Sequence, residues 1–334
     1  MKRVSYTELH QELVRVLLKL GFEKEKAALS ARLFAEASRD GVDSHGLNRF
    51  PRFVAYIQKG YVRVDQEAVP AKQMGALEQW DGHLGPGNLN AWTCMNRAIE
   101  LAGKHGIGLV ALRNTNHWMR GGAYGWQAAE AGMIGLCWTN TIPNMPAWGA
   151  KEAVLGNNPL IIGFPKAEGH IVLDTAMTQF SFGKIESYRR AGKLLPVAGG
   201  FDTAGHITHD PAEIEKSGRA LPFGFWKGSG LSLLLDLLAS SLSEGLSTTQ
   251  IGQQCEDEYG LSQVFIAIDG MNMGAKAHYE KMLSDTLLAM ETATPAAPGE
   301  KANYPGERTL RTREENERLG IPVDEAYWAE IKAM

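Results

Sequence analysis

From about residue 73 onward the chain alternates between two textures, and that alternation limits the folds open to it. Short apolar runs, "GALEQWDG", "GIGLVALRN", "GMIGLCWTN", "AVLGNNPLIIGFP" and "HIVLD", are bounded by Gly, Pro and Asn. Runs this short, punctuated by turn formers, predict buried strands. Between them lie longer helical stretches, notably "NAWTCMNRAIELAGKHG" and "AYGWQAAEAG". Strands alternating with helices predict an α/β core. "WKGSGLSLLLDLLASSLSEG" then predicts a long buried helix opened by glycines, and "QVFIAID" a late strand. With 334 residues, 44% of them hydrophobic, the chain suffices for one large or two medium domains. Its core needs no staples.

Helices flank this core. Ser5 and Glu8 fit a capping box, Leu9, Leu13, Val16, Leu17 and Leu20 share a face, and Gly21 ends the segment. A second helix is predicted from Glu23 to Asp40, with Gly41 as its stop. A third runs from Phe50 to Lys59, begun or bent by Pro51. At the other end, residues 291–306 read as exposed linker and the tail as polar helix. The expected division is an N-terminal helical segment over 1–75, a central α/β region over 76–275, and a C-terminal linker and helical segment over 276–334 that folds back on the body.

A net charge of −4 offers nothing to attract nucleic acid or an anionic membrane. The N-terminus is amphipathic and charged throughout, unlike a signal peptide. The most apolar run carries Asp236 and is too short to span a bilayer. Cys94, Cys137 and Cys255 lie far apart, with neither metal-ligand spacing nor a disulfide framework. No metal site and a reduced, cytoplasmic compartment are therefore expected. Neither G-x-G-x-x-G after a strand nor G-x-x-x-x-G-K-S/T occurs, and "GHLGPGN" and "MRGGAYG" fit neither pattern. H-E-x-x-H, C-x-x-C and G-x-S-x-G are absent too, which disfavours zinc proteases and α/β-hydrolases.

Four clusters could carry chemistry. In "GVDSHGLNRFPRF", over 41–53, reactive side chains crowd a short junction. If residues 45–49 are helical, His45 and Arg49 share a face. An imidazole passes a proton near neutral pH, and a guanidinium grips a carboxylate at two points. The pair suits a small acid whose neighbouring oxygen gains or loses a proton. A plainer arrangement, with Ser44 capping a helix and Arg49 solvated, also fits the spacing. In "NTNHWMRGG", after a predicted strand, Asn116, His117 and Arg120 could face a substrate, or form a polar loop around a packed Trp118. In "GFWKGSGLSLLLDLL", Gly228, Ser229 and Gly230 open a helix whose N–H groups could bind phosphate beside Lys227. The same glycines could merely permit a tight entry into a core helix. In "HIVLDTAMT" the backbone could lie against a flat cofactor. His10, His83, His105, His206, His209 and His278 read as surface or structural.

Taken in order, "DSHGLNRFPRF", "HGIGLVALRNTNHWMRGGAYGWQAAEAGMIGLCWTN", "WGAKE", "NPLI", "LPVAGGFD", "FWKGSG" and "DEYGLSQVFIAI" resemble the L-malate/L-lactate dehydrogenase-type oxidoreductases. That NAD(P)-dependent family lacks the ordinary Rossmann fold, and the likeness runs from about residue 5 to the C-terminus. The resemblance implies an α/β fold whose non-Rossmann NAD(P)-binding domain has a mixed, largely antiparallel sheet flanked by helices. It also implies a homodimer with sites near the subunit interface. The implied reaction is reduction of a 2-oxo acid: NADH delivers hydride to C2, His45 gives its proton to the oxygen, and Arg49 holds the carboxylate. Ser44 and Asn48 would steady the imidazole, while Asn116, His117 and Arg120 would meet the carbonyl or sugar hydroxyls.

The cofactor is expected against His170, Ile171, Val172, Leu173, Asp174, Thr175 and Ala176, against Trp226 and Lys227, and against Gly306, Glu307 and Arg308. After Pro305-Gly306 the chain reads Glu307-Arg308, where the resembled pattern has His-Glu, so contacts at the far end of the cofactor differ. Arg308 could pair with a 2′-phosphate, which leaves NADP open beside NAD, or be solvated. Malate, lactate, ureidoglycolate and cyclic imino acids are the alternative substrates. A non-catalytic dinucleotide-binding protein is the alternative of another class.

Overall fold

A computed structural model describes residues 2–272, 274 and 276–334. Seven strands form the central sheet, in the order Val69–Met74, Leu77–Asp81, Ile107–Asn116, Tyr259–Ile268, Ile134–Thr139, Leu160–Phe164, Ile171–Thr175. Leu77–Asp81 runs parallel to Ile107–Asn116, as the crossover through the Gly87–His105 helix requires. The other neighbours pair antiparallel. The late strand, Tyr259–Ile268, lies at the centre, with Val264 opposite Ala111 on one side and Trp138 on the other. The sheet is therefore mixed and largely antiparallel, as expected.

Helices cover both faces. Gly87–His105 and Gly122–Glu130 lie on one, where Met95, Ala98, Leu112, Trp118, Tyr124 and Phe265 share a buried cluster. Burying each large apolar side chain contributes about 1.5–3 kcal/mol. Gly163 lets helix and sheet touch, since a Cβ there would stand 2.3 Å from the Gly125 carbonyl oxygen. On the opposite face, Leu235 and Ala239 of the Trp226–Ser243 helix pack with Ala111, Trp138 and Val264. That helix is not buried as a whole. It is apolar all round, but only one stripe reaches the sheet. Leu233, Leu234, Leu237 and Leu238 face outward, Leu234 being 57% exposed.

The N-terminal helices form a second core with the end of the chain. Ser5 accepts the Glu8 N–H at 3.0 Å, but the Glu8 carboxylate turns to Lys332 at 3.5 Å instead of completing a capping box. Tyr6–Lys19, Lys24–Arg39 and Phe50–Gln58 bury Leu9, Leu13, Leu17, Phe34, Phe50 and Phe53 together with Trp328 and Ile331. Lys2–Val4 pairs antiparallel with Ile321–Val323, a two-stranded clasp that the sequence reading missed. The hairpin Val69–Met74/Leu77–Asp81 crosses the boundary expected at 75/76, so the sheet begins earlier. Residue 275, the other expected boundary, lies outside the described residues. Within the linker and tail, Lys276–Glu291 and Glu307–Leu319 are helical, and residues 291–303 are exposed.

Residues 176–223 make a small lobe between the last sheet strand and the Trp226–Ser243 helix. Its helices, Phe182–Arg190 and Pro211–Ser217, meet over Ile185, Leu195 and Ile214.

Candidate active site

The junction expected to be helical is built from two short 3-10 turns, Asp43–His45 and Leu47–Arg49, with Gly46 between them. Gly46 is required by close approach: a Cβ there would stand 2.2 Å from Ser38 Oγ and 2.7 Å from Ser38 N. The Leu47 N–H donates to Ser38 Oγ at 2.8 Å and anchors the turn on the preceding helix. His45 and Arg49 thus reach one cleft without sharing an α-helical face. Ser44 does not cap a helix; its Oγ lies 3.0 Å from His45 Nδ1 and steadies the ring. Asn48 lines the same cleft, with its Oδ1 buried and unpartnered.

The loop after Ile107–Asn116 supplies the second imidazole. His117 stacks on His45 with ring centroids 5.6 Å apart and 21° between planes. The Met119 N–H donates to His117 Nδ1 at 3.0 Å, which leaves Nε2 to carry the proton of the neutral ring. Burial, then the Arg49 and Arg120 guanidiniums, pull the His45 imidazole down to about 4. Burial, then Arg49, His45 and Arg52, hold His117 well below its ordinary range.

Three carboxylates that the sequence reading did not single out organise the arginines. Arg49 Nη2 donates to Glu258 Oε2 at 3.0 Å. Beside it, Asp257 accepts from Arg52 at 3.2 Å and from the Tyr56 hydroxyl, and Glu256 accepts from Tyr61 at 2.9 Å. Three consecutive acids just before an apolar strand were the available signal. Arg120, expected to face the substrate, is 7% exposed and pairs with Asp40. Arg313 grips the same carboxylate at 2.8 and 2.7 Å, and Arg39 does so at 3.0 Å. Burial alone would raise the Asp40 carboxyl, but Arg313, Arg120 and Arg39 hold it at about 2.

Asn116 lies off the cleft wall. Its amide donates to the carbonyls of Tyr61, Leu84 and Gly85 at 3.0, 2.8 and 3.0 Å, so it ties loops together instead of facing the cleft. Of the expected cofactor residues, Val172, Leu173, Asp174, Ala176, Gly306 and Arg308 line the cleft. Pro305 O accepts the Val172 N–H at 2.9 Å and joins the two segments. The others point elsewhere. His170 packs on Trp126, Ile171 pairs with Phe164, Thr175 Oγ1 donates to Ala176 O at 3.2 Å, and Glu307 meets Lys301 at 3.5 Å. Trp226 and Lys227 lie outside the cleft, Trp226 66% exposed at the start of its helix.

The cleft encloses about 1550 Å³, beyond the roughly 300–1,000 Å³ of ordinary small-ligand pockets. Two glycines on its wall, Gly122 and Gly306, are tightly packed. A Cβ at Gly122 would stand 2.9 Å from Asp174 Oδ2, and one at Gly306 would stand 3.1 Å from His170 O. The Gly122 N–H already donates to Asp174 Oδ2 at 2.8 Å. Room of this size fits a dinucleotide beside a small acid. Among the described residues, no group of His, Cys, Asp and Glu could hold a metal ion, and no helix is long and apolar enough to cross a membrane.

Comparison with known proteins agrees with this geometry. The sequence profile described as Malate/L-lactate dehydrogenase matches residues 4–332. The 2,3-diketo-L-gulonate reductase of Citrobacter koseri is 47% identical over 332 residues, 99% of this chain and 100% of that protein. The malate dehydrogenase of Entamoeba histolytica superposes with a TM-score of 0.93 at 27% identity, over 99% of this chain and 96% of that one. The delta1-piperideine-2-carboxylate reductase of Pseudomonas syringae pvar. tomato superposes with a TM-score of 0.84 at 27% identity, over 100% and 99%. By its fold and relatives the protein is an oxidoreductase acting on a hydroxy or oxo acid. The chain belongs to the malate/L-lactate dehydrogenase family, which points to a nicotinamide dinucleotide as cofactor.

Proposed function

We propose that the protein reduces a 2-oxo acid at the expense of NADH, that its substrate is 2,3-diketo-L-gulonate, and that the product is 3-dehydro-L-gulonate. The observation that carries this reading is the His45–His117 stack beside Arg49 in one cleft. Val172–Asp174, Ala176, Gly306 and Arg308 would hold the cofactor. When bound, it supplies the hydride for the carbonyl carbon.

The chain's own residues handle charge and protons. Arg49 holds the substrate carboxylate and so orients the adjacent carbonyl. His45 gives its proton to the oxygen as negative charge builds there. With burial and the two guanidiniums holding its imidazole at about 4, His45 by itself is almost wholly neutral at pH 7. An anionic substrate beside Arg49 cancels the charge that disfavours protonation, so the proton is taken up with the substrate. Reduction then weakens as pH rises through the raised value. His117 and Asn48 meet the rest of the substrate, and Ser44 keeps the His45 ring in place.

A second reading, another 2-hydroxy acid dehydrogenase of the family, gains support from Asn116. Its absence from the wall removes one hydrogen-bonding group that favoured a polyhydroxylated substrate. NADH is the proposed donor, and Arg308 on the cleft wall is the residue that would accept the 2′-phosphate of NADPH. The outward leucines of the Trp226–Ser243 helix support a homodimer, and three free cysteines support a reducing, cytoplasmic setting. The test is a screen of NADH and NADPH oxidation with 2,3-diketogulonate, pyruvate, oxaloacetate and piperideine-2-carboxylate. The first acid should turn over fastest. Preference for another supports the second reading, and no oxidation with any of them refutes both.

A further inference from the structure

Two guanidiniums bear on the His45 imidazole, and each is held from behind by a buried carboxylate. Arg49 pairs with Glu258, and Arg120 with Asp40. The carboxylates come from segments far apart in sequence. Glu258 precedes the central strand Tyr259–Ile268, while Asp40 closes the Lys24–Arg39 helix. Both are nearly inaccessible, at 7% and 4% exposure. Breaking a pair of this kind leaves the partner's charge uncompensated in a low-dielectric setting.

We propose that Glu258 and Asp40 are positioning residues of this site, which fix the direction of the Arg49 and Arg120 guanidiniums and cancel part of the positive charge that His45 and the bound acid would otherwise meet. This role depends on the function proposed above only for its effect on turnover. Other charges surround the ring as well. Asp43 shares its junction, and His117 stacks on it. Asp174 lines the cleft too, where burial raises its carboxyl despite Arg120 and the Gly122 N–H. From the lobe, Lys184, Glu186 and Arg190 line the cleft, as do Arg308 and Arg311 from the C-terminal helix. Arg49 and Arg120 share the cleft with His45 and both disfavour its protonation after burial, so their paired carboxylates are the adjustable element.

The test separates charge from shape. Glu258→Gln keeps an oxygen to accept the Arg49 N–H but loses the charge. The pH above which kcat falls, which reports the substrate complex, should move down by roughly half a unit or more. Glu258→Asp, which keeps the charge, should leave that pH within about 0.2 units of the parent whatever it does to rate. Asp40→Asn should move the profile in the same direction, and Glu258→Gln decides the matter alone if Asp40→Asn fails to fold.

The titration of the His45 ring itself, followed by NMR on histidine-labelled protein with oxalate bound and assigned with His45→Gln, reads the same shift without turnover. A lowered NMR midpoint with an unmoved rate profile would retain the counter-charges and remove His45 as proton donor. A midpoint unchanged in Glu258→Gln would overturn the proposal.

Discussion

The two walls of the cleft are built by opposite means. The wall that carries His45, His117 and Arg49 is locked by polar contacts across distant segments. Asp40 binds three arginines from three elements, Glu258 holds Arg49, and the Asn116 amide meets three carbonyls. The helices of the facing lobe meet over one small apolar cluster, Ile185, Leu195 and Ile214. Its ion pairs, such as Arg190–Glu186 at 2.6 Å, sit at the surface, where such pairs contribute roughly 0–1 kcal/mol. Leu194 on the lobe is 66% exposed. Few buried contacts mean low local stability. The contrast is one of construction: buried polar contacts tie down the first wall, and a small apolar cluster supports the second.

Substitutions on the two walls should therefore fail differently. The largest effect is expected at His45. His45→Ala should lower kcat by roughly a hundredfold or more with cofactor affinity unchanged by fluorescence titration. Near-native turnover would remove His45 from the chemistry. Next comes Arg49→Lys, which keeps the charge and loses the planar fork. It should raise KM by roughly tenfold, and unchanged steady-state constants would break the carboxylate grip.

On the lobe, Ile214→Ala leaves a cavity in a small cluster and should cost about 2–4 kcal/mol of lobe stability. Amide exchange should quicken over 181–217 and stay unchanged in the central sheet, with kcat/KM reduced a few-fold. Equal loosening of both walls would erase the distinction drawn here.

The smallest effect is expected at Asp43, whose carboxyl burial pushes up to about 6 against the Ser38 hydrogen bond. An unfolded aspartate titrates near 3.9, so the folded state retains a proton that the unfolded state releases between the two values. Stability contributed by this group therefore falls as pH rises from about 4 to about 6. Asp43→Asn should gain about 1 kcal/mol over the parent at pH 7, discounted for partial exposure. Denaturant melts should find no gain at pH 4.

Local signals made much of this legible. The first three helices were readable because Leu9, Leu13 and Leu17 repeat at helical spacing and glycines follow each segment. The strands were readable because Ile134–Thr139 and Tyr259–Ile268 are short, apolar and bounded by turn formers. His45 and Arg49 stood out by chemistry, although Gly46 breaks the helix that was expected to align them. What stayed hidden depends on pairing over distance. Glu258 is 209 residues from Arg49, and Arg313 is 273 from Asp40. No spacing rule connects such positions. The outward leucines of Trp226–Ser243 were hidden for another reason: a helix apolar on every side gives no sign of which stripe the sheet covers.

The clasp between Lys2–Val4 and Ile321–Val323 has a bearing on how the chain is made. The first helices leave the ribosome with their greasy side uncovered, because Trp328 and Ile331 have yet to be translated. The part of the protein that holds His45 completes its core only after residues 328–331 have been made. Closure between segments so far apart in sequence slows assembly, and until then the uncovered apolar face is open to wrong contacts.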